Sequence, residues 1–446
     1  SLTEAERKFE ENWNRIISAD TNKIYLFKCA TGLGKTRVIR NVTNALIAAP
    51  TNTLKDEIFR LMKVPAIVTP AQPVFENKQL TDKINGLYKM GLFKKAFETI
   101  KMTAEQKTAD GQKAQDFLDK NSEVYHSSAT KITTHERAIH NDFKLQTLIF
   151  DEDPYQTYNG VKEVTIGDVV NLTCHLRELE PLSEFLNSLE EGKIVDAPQY
   201  TINITELIDK YPEHVADGDV LGLLSSTYVC REKENIYYIT HKKFSDDKKV
   251  IILSATVDEY FYTKLYGERV EVVNLENVEG MGKIIQYTAK SYSRESMKRS
   301  KKDEIKEKIG SQPTITFCEH SAYFNNQPLG IHFGNCQGYD ELKGVNITVL
   351  GTPHINNAAY KLQAAILGID TSNDKMSYKK IEWKGFRFKF MCFDDEKLRE
   401  IQLKTIESHL IQAVGRARTI RTNACVKVYS NLPLFLTDEF IDELAA

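Results

Sequence analysis

A chain of 446 residues, 41% of them hydrophobic, is enough for about three domains at roughly 150 residues each. Its 59 basic residues stand against 62 acidic ones, so there is no global positive field, and any surface for a polyanion has to be local. The seven cysteines (29, 174, 230, 318, 336, 392, 425) contain no C-x-x-C pair, and no apolar run nears the ~18 residues of a membrane span. These features argue against a structural zinc site, a disulfide framework and a membrane location, and they fit a reducing cytoplasm. The charged start SLTEAERKFEENW, opening on Ser1, reads as a trimmed chain, part of a larger polypeptide or complex.

Residues 2–18 carry Phe9, Trp13 and Ile17 at helical spacing and predict an amphipathic helix. The apolar run Ile24-Tyr25-Leu26-Phe27 predicts a buried strand, and Arg37 to Leu46 a helix. Between them lies Cys29-Ala30-Thr31-Gly32-Leu33-Gly34-Lys35-Thr36. Glycines lack a Cβ, so backbone N–H groups here can close round phosphate oxygens at the start of a helix. Lys35 would reach the terminal phosphates and the Thr36 hydroxyl would take one place on Mg²⁺.

Ala45 to Ala49 is a second apolar strand, ending at Pro50-Thr51. Residues 72–128 are lysine-rich and helical in pattern, with Leu87, Phe93, Phe97 and Ile100 as apolar positions. A third strand, Lys131 to Thr134, runs into His135 and Glu136. The strand Leu145 to Phe150 then ends in Asp151-Glu152-Asp153-Pro154, where one carboxylate can order Mg²⁺ and the next can act on the attacking water.

Residues 155–245 carry no nameable motif. They combine helical stretches (168–189, 204–211) with a strand at 235–240. Val250 to Leu253 is another buried strand, closing on Ser254-Ala255-Thr256. The composition turns to Lys, Arg, Glu and Ser from 280 to 309, which places a hinge near 275–285 and a charged helix with a solvated face after it.

A second α/β pattern follows, with strands at 314–318 and 346–350, the latter closing on Gly351-Thr352-Pro353, and Gln337-Gly338-Tyr339-Asp340 between them. Alternation over 376–394 around Lys384-Gly385 predicts a β-hairpin. Its aromatics form either one buried face of a sheet or a platform for bases. A helix beginning near Asp395 ends in Gln412-Ala413-Val414-Gly415-Arg416-Ala417-Arg418. Guanidinium groups there could stabilise charge spread over a transferring phosphoryl group, or serve only the helix macrodipole.

Taken together these stretches resemble superfamily 2 helicases in motif and in order. Residues 29–36 resemble motif I, with Cys29 where the strict G-x-x-x-x-G-K-S/T pattern wants glycine. D-E-D-P resembles the Walker B or DEAD/DEAH box. Gln412 to Arg418 resembles motif VI, in the Q-x-x-G-R-x-R spelling of Dicer-type helicases, which leaves Arg416, Arg418 and Arg421 all open as the phosphate contact. In the same order, 49–54 resembles motif Ia, 131–136 motif Ib, S-A-T motif III, 314–318 motif IV and 337–340 motif V. The resemblance implies two RecA-like α/β domains with parallel sheets, 1–275 and 276–446, with helical insertions in the first at about 72–128 and 155–245.

It further implies ATP and Mg²⁺ as cofactors, bound by Thr31 to Thr36, Gly338 and Asp340, with Thr36 and Asp151 at the metal. Lys35, Asp151, Glu152, Gln412, Arg416 and Arg418 would be catalytic. Ser254 and Thr256 would couple the sites, and Pro50, Thr51, Thr134 and His135 would touch nucleic acid. The two insertions lie where Rad3/DinG-like helicases carry iron–sulfur and arch domains, but no cysteine falls between 30 and 173, which excludes a cluster there. The expected function is ATP-driven translocation on and unwinding of nucleic acid in DNA replication or repair. Single-stranded DNA is favoured and RNA is open, with a cytoplasmic or nucleoid-associated location. The alternatives are a double-stranded DNA translocase or motor subunit, or a nucleic-acid scaffold with a vestigial ATPase.

Overall fold

The computed structural model describes residues 1–89, 91–140, 143–198, 204–210, 218–325, 329–336 and 341–441. The chain opens with strands β1 (Ile24–Cys29), β2 (Ala45–Ala49), β3 (Ala66–Val68), β4 (Thr130–Thr134) and β5 (Thr147–Asp151). A separate group follows: β6 (Val161–Thr165), β7 (Ile194–Asp196), β8 (Tyr228–Glu232) and β9 (Asn235–Ile239). Then β10 (Lys249–Ser254) and β11 (Val270–Leu275) complete a seven-stranded sheet of order β11-β1-β10-β5-β2-β4-β3.

Every pairing in that sheet is parallel. Parallel sheets need cover on both faces, and β1, β2 and β10 meet this demand with almost unbroken apolar runs. The helix Leu2–Ser18 covers one face with Phe9, Trp13 and Ile16 against Phe27 and Val273. Ile16, rather than the expected Ile17, completes its buried stripe. Register then decides where the motifs fall. Lys28 of β1 lies beside Ser254 of β10, and Leu253 of β10 beside Asp151 of β5. The turn after β1, the S-A-T end of β10 and the acids after β5 are therefore neighbours at the carboxyl ends of three adjacent strands.

The helix expected over 37–46 is shorter and earlier, Lys35–Ile39. Asn44 adopts a positive φ of 54° and turns the chain directly into β2, a geometry that asparagine tolerates and a continuing helix does not.

The two insertions form one unit rather than two. Helices Lys78–Lys89, Phe93–Ala104 and Ala109–His126 of the first share a single core with the second: Ile84, Leu87, Ile100 and Phe117 pack with Leu172, Leu186, Val229 and Tyr238. Within the second, β6-β9-β8-β7 is an antiparallel sheet. The helix expected over 168–189 is divided into Ile166–His175 and Glu180–Ser188, where Pro181 suits only a helix start.

The second lobe contains β12 (Lys283–Tyr287), β13 (Thr314–Ile315), β14 (Ile347–Leu350), β15 (Met376–Trp383), β16 (Phe386–Phe393), β17 (Cys425–Tyr429) and β18 (Glu439–Ile441). Its sheet, β13-β14-β17-β12-β18, is parallel throughout. The strand expected over 314–318 stops at Ile315, and a helix, Cys318–Asn325, begins three residues later. The β15–β16 hairpin forms as expected. Phe390 and Cys392 are buried, with Ile381, Trp383 and Phe388 packed against the same core, so one face of the hairpin is core, while its Tyr378 stays exposed. The charged stretch after the hinge yields β12 and two helices, Arg294–Arg299 and Lys302–Ile309. No helix among the described residues is long and apolar enough to cross a membrane.

Candidate functional site

After β1 the chain turns sharply: Leu33 N donates to the Ala30 carbonyl at 3.1 Å, and Gly32 and Gly34 adopt φ of 95° and 103°. A side chain would be strained at both positions. Gly34 opens the helix Lys35–Ile39, so the turn presents backbone N–H groups to the cleft. Leu33 itself is fully buried and contributes only backbone.

Lys35 Nζ pairs with Glu152 Oε1, reaches the Leu253 carbonyl at 3.3 Å and lies 4.0 Å from Asp151 Oδ1. Burial disfavours its charge, but Glu152 and Asp151 outweigh that and hold it above its ordinary value. Burial pushes the Asp151 carboxyl up, with Lys35 pulling against it. Burial acts on Glu152 in the same sense, yet Lys35 beside it wins and keeps it below the usual carboxylate range. The two acids are thus held differently although adjacent. Glu152 also adopts a positive φ of 73°, strain of the kind that persists where its surroundings over-determine a site.

A chain of side chains leads from this acid to the second lobe. Ser254 Oγ donates to Glu152 Oε2 at 2.9 Å and lies 3.3 Å from Thr256 Oγ1, to which Gln412 Nε2 donates at 3.2 Å. Asp153 turns away from the cleft. It accepts from Tyr262 Oη at 2.5 Å and Tyr155 N at 3.0 Å, and burial raises its carboxyl to about 7.

From the other side, the helix Glu396–Val414 ends at Gly415, and Arg416, Arg418 and Arg421 line the same cleft of about 260 Å³ as Gly32, Lys35, Thr36, Asp151 and Glu152. Arg416 is buried, its Nε donating to the Gln412 carbonyl at 3.2 Å. Arg418 adopts a positive φ of 58°. Arg421 donates from Nε to the Gly32 carbonyl at 2.5 Å and pairs through Nη2 with Glu6. Gly415 sits so close to the turn that a Cβ there would meet Thr31 Oγ1 at 2.5 Å.

The donor set fits a magnesium–nucleotide polyanion. Five cations (Lys35, Lys343, Arg416, Arg418, Arg421) face three carboxylates (Glu57, Asp151, Glu152). Thr36 and Asp151 offer the hard oxygen donors that Mg²⁺ takes. Among the described residues no group of three or more His, Cys, Asp or Glu converges as a cage, so a divalent ion would also need phosphate oxygens and water.

Of the other expected residues, Thr51 caps the helix Asn52–Leu61 by accepting from Leu54 N at 3.2 Å, and Pro50 beside it is partly exposed. Thr134 accepts from Arg137 N at 3.4 Å. His135 is 3% exposed, its Nε2 lies 3.0 Å from the Asp151 carbonyl, and burial lowers its pKa to about 4. It lies buried against the acid strand, facing inward rather than to the surface where a strand was expected to meet it. Gly338 and Asp340 lie outside the described residues. Glu6, Glu57 and Lys343 escaped the sequence reading because none stands in a recognisable motif.

Compared with solved structures, the chain matches XPD in its apo form over 97% of this chain and 100% of that one, at a TM-score of 0.54 and 13% identity. The Escherichia coli DEAH/RHA helicase HrpB is matched over 94% of this chain and 42% of that one, at 10% identity and a TM-score of 0.28, too low to carry weight. At such identity the likeness to XPD is one of fold: two RecA-like parallel-sheet lobes with inserted elements. No protein-family model matches the sequence, and no curated protein matches it.

Proposed function

We propose that the chain is a nucleic-acid-dependent ATPase of the superfamily 2 helicase type, built as a first domain of 1–275 and a second of 276–446, cytoplasmic or nucleoid-associated. One observation carries this reading: Lys35, Asp151 and Glu152 of the first lobe and three arginines of the second line one cleft. A single strand of DNA is the favoured track, with RNA as the other choice.

Mg²⁺ and ATP, when bound, supply the phosphoryl group and the negative charge that these cations meet. The turn from Thr31 to Thr36 holds phosphates through backbone N–H groups, and Thr36 and Asp151 hold the ion. Lys35 has to leave Glu152 for the phosphates. That frees Glu152 Oε1 to take a proton from water while Ser254 keeps Oε2 in place. Arg416 and Arg418 offer fixed charge from across the cleft. The Ser254–Thr256–Gln412 contacts give the second lobe a mechanical link to the acid.

Hydrolysis measured side by side with single-stranded DNA, duplex DNA and RNA tests the reading, and stimulation by a single strand is expected. Glu152→Gln should bind ATP nearly as the parent does while losing at least ~10²-fold in kcat. Near-parental turnover in that variant would reject the assignment.

A further inference from the structure

A chamber of about 820 Å³ lies in the first lobe, away from the cleft. Its floor is formed by residues at or just beyond the carboxyl ends of β2, β3 and β4, among them Asn52, Gln72 and Thr134. These strands are neighbours in the sheet, and the outer side of the carboxyl ends of parallel strands is where such folds receive ligands. Its roof is the cysteine-free helical insertion, which contributes Tyr88, Phe93, Phe97, Phe117 and Tyr125.

The lining suits a flat ring with a polar edge better than a phosphate. Lys101 Nζ lies 5.1 Å from the Phe97 ring centroid, and Phe93 stacks on His140 at 3.7 Å. Tyr125 is 46% exposed, its ring only partly covered. Asn52, Gln72, Asn121 and Ser122 line it too. Asn52 and Asn121 accept through Oδ1 from Lys55 and Arg137, and Gln72 donates to Asn85, which leaves the amide nitrogens of Asn52 and Asn121 and the Gln72 oxygen for the edge of a ring. Arg137 is held in the wall by the Pro70 carbonyl at 3.1 Å and by Asn121. Lys94, Lys101 and Arg137 are nearly balanced by Asp119 and Glu136, unlike the cation-rich cleft. A free nucleotide's phosphate would find little here.

We propose that this chamber receives one unstacked nucleobase of a bound single strand, with its face against the aromatic rings and its edge on the amides. The proposal rests on the reading of the protein as a nucleic-acid motor, since Thr134, an expected backbone contact, lines the chamber and Thr51, the other, precedes its lining residue Asn52. A strand crossing them would keep its phosphates outside and could turn one base inward. Base–aromatic stacking tolerates any sequence, as a motor requires.

The test is photo-cross-linking of the full chain to a single-stranded oligonucleotide containing 5-iodouracil, followed by peptide mapping, with strand affinity measured in parallel. Cross-links should fall in peptides carrying Tyr88, Phe97 or Tyr125. Tyr125→Leu and the exposed Lys101→Gln should each weaken strand binding about 5–20-fold. Both should leave strand-free hydrolysis unchanged, and Tyr125→Phe should restore affinity. Unchanged affinity in both weakening variants, or cross-links only elsewhere, overturns the chamber and leaves the motor reading standing. Labelling by 5-iodouridine monophosphate but not by the strand overturns it too, in favour of a free-nucleotide site. A parent chain that hydrolyses ATP but binds no strand overturns the motor reading, and the chamber with it.

Discussion

Arg421 reaches from the second lobe to two partners in the first, the Gly32 carbonyl and the Glu6 carboxylate. Glu10, one helical turn along, holds Arg37 in the same way, so the N-terminal helix grips an arginine from each lobe at the mouth of the phosphate turn. Contacts of this kind exist before any chemistry. Glu6→Gln should therefore raise KM for ATP about 3–10-fold with kcat within about twofold, whereas Arg416→Ala should cut kcat by at least ~10³-fold. Steady-state kinetics separate the two outcomes, and a large kcat loss in Glu6→Gln would make Arg421 the phosphate-contacting arginine instead. A pH effect belongs to His354, stacked on Phe390 at 5.4 Å and lowered to about 4 by burial. Its folded pKa lies below the unfolded value of about 6.5, so its contribution is complete above that and is lost as pH falls towards 4. The Tm gap between pH 7 and pH 5 should thus be narrower in His354→Leu than in the parent, even if the variant is less stable at both. That Lys35, Asp151, Glu152, Arg416 and Arg418 would share one cleft was legible in the sequence, because motif chemistry fixes their types. Glu6 and Lys343 were not, because helix phase and loop position alone do not say what faces a cleft. The inward orientation of His135 was not legible either, because a capping position beside a strand can point inward as easily as outward.

The helix Glu396–Val414 is the element that carries the second lobe's residues to the cleft. Asp395 caps it by accepting from Leu398 N at 2.9 Å, and its far end stops against Thr31. Gly415→Ala has no room at that contact, since Thr31 Oγ1 and Cβ would lie 2.5 and 2.9 Å from the new methyl group. The clash is between lobes and not within one. Gly415→Ala should therefore lower Tm only modestly, reduce kcat at least ~10-fold by holding the cleft ajar, and be relieved in part by Thr31→Ala. A large fall in Tm with kinetics intact would count against this account. Strands β1, β2, β5 and β10 could be read from the sequence because burial on both faces demands continuous apolar runs. Strand β6 could not: Lys162 and Glu163 are exposed, and a single buried Val164 signals nothing. Strand β12 was hidden because a charged stretch surrounds its five residues. The break at Pro181 follows from a rule about proline that apolar periodicity overrides when read alone.

Across the whole molecule the lobes are not independent bodies joined by a string. Leu26, Phe150, Ile252 and Tyr262 of the first pack in one cluster with Tyr360, Phe393, Leu398 and Ile401 of the second. Lys404 of the second lobe adds an ion pair to Asp258 at 3.1 Å and lies 4.7 Å from the Tyr260 ring centroid. Calorimetry should therefore show one cooperative transition, with calorimetric and van't Hoff enthalpies close to equal. Two resolved peaks would mean that the shared cluster is too weak to couple the lobes. The α/β class and the two parallel sheets were legible. The fusion of the two insertions into a single core was not, because nothing local in either stretch announces a partner so far along the chain.

The antiparallel sheet belongs by chain order to the first half but is seated on the helix Asn357–Ile366 of the second. Asn356 Nδ2 donates to Tyr237 Oη at 3.0 Å, and the buried Lys361 bridges the Gly192 carbonyl and Asp374. The halves are thus joined here as well as through the cluster that Leu26 and Phe150 share with Tyr360 and Phe393. Any opening of the lobes has to carry the sheet along with this helix or part the two.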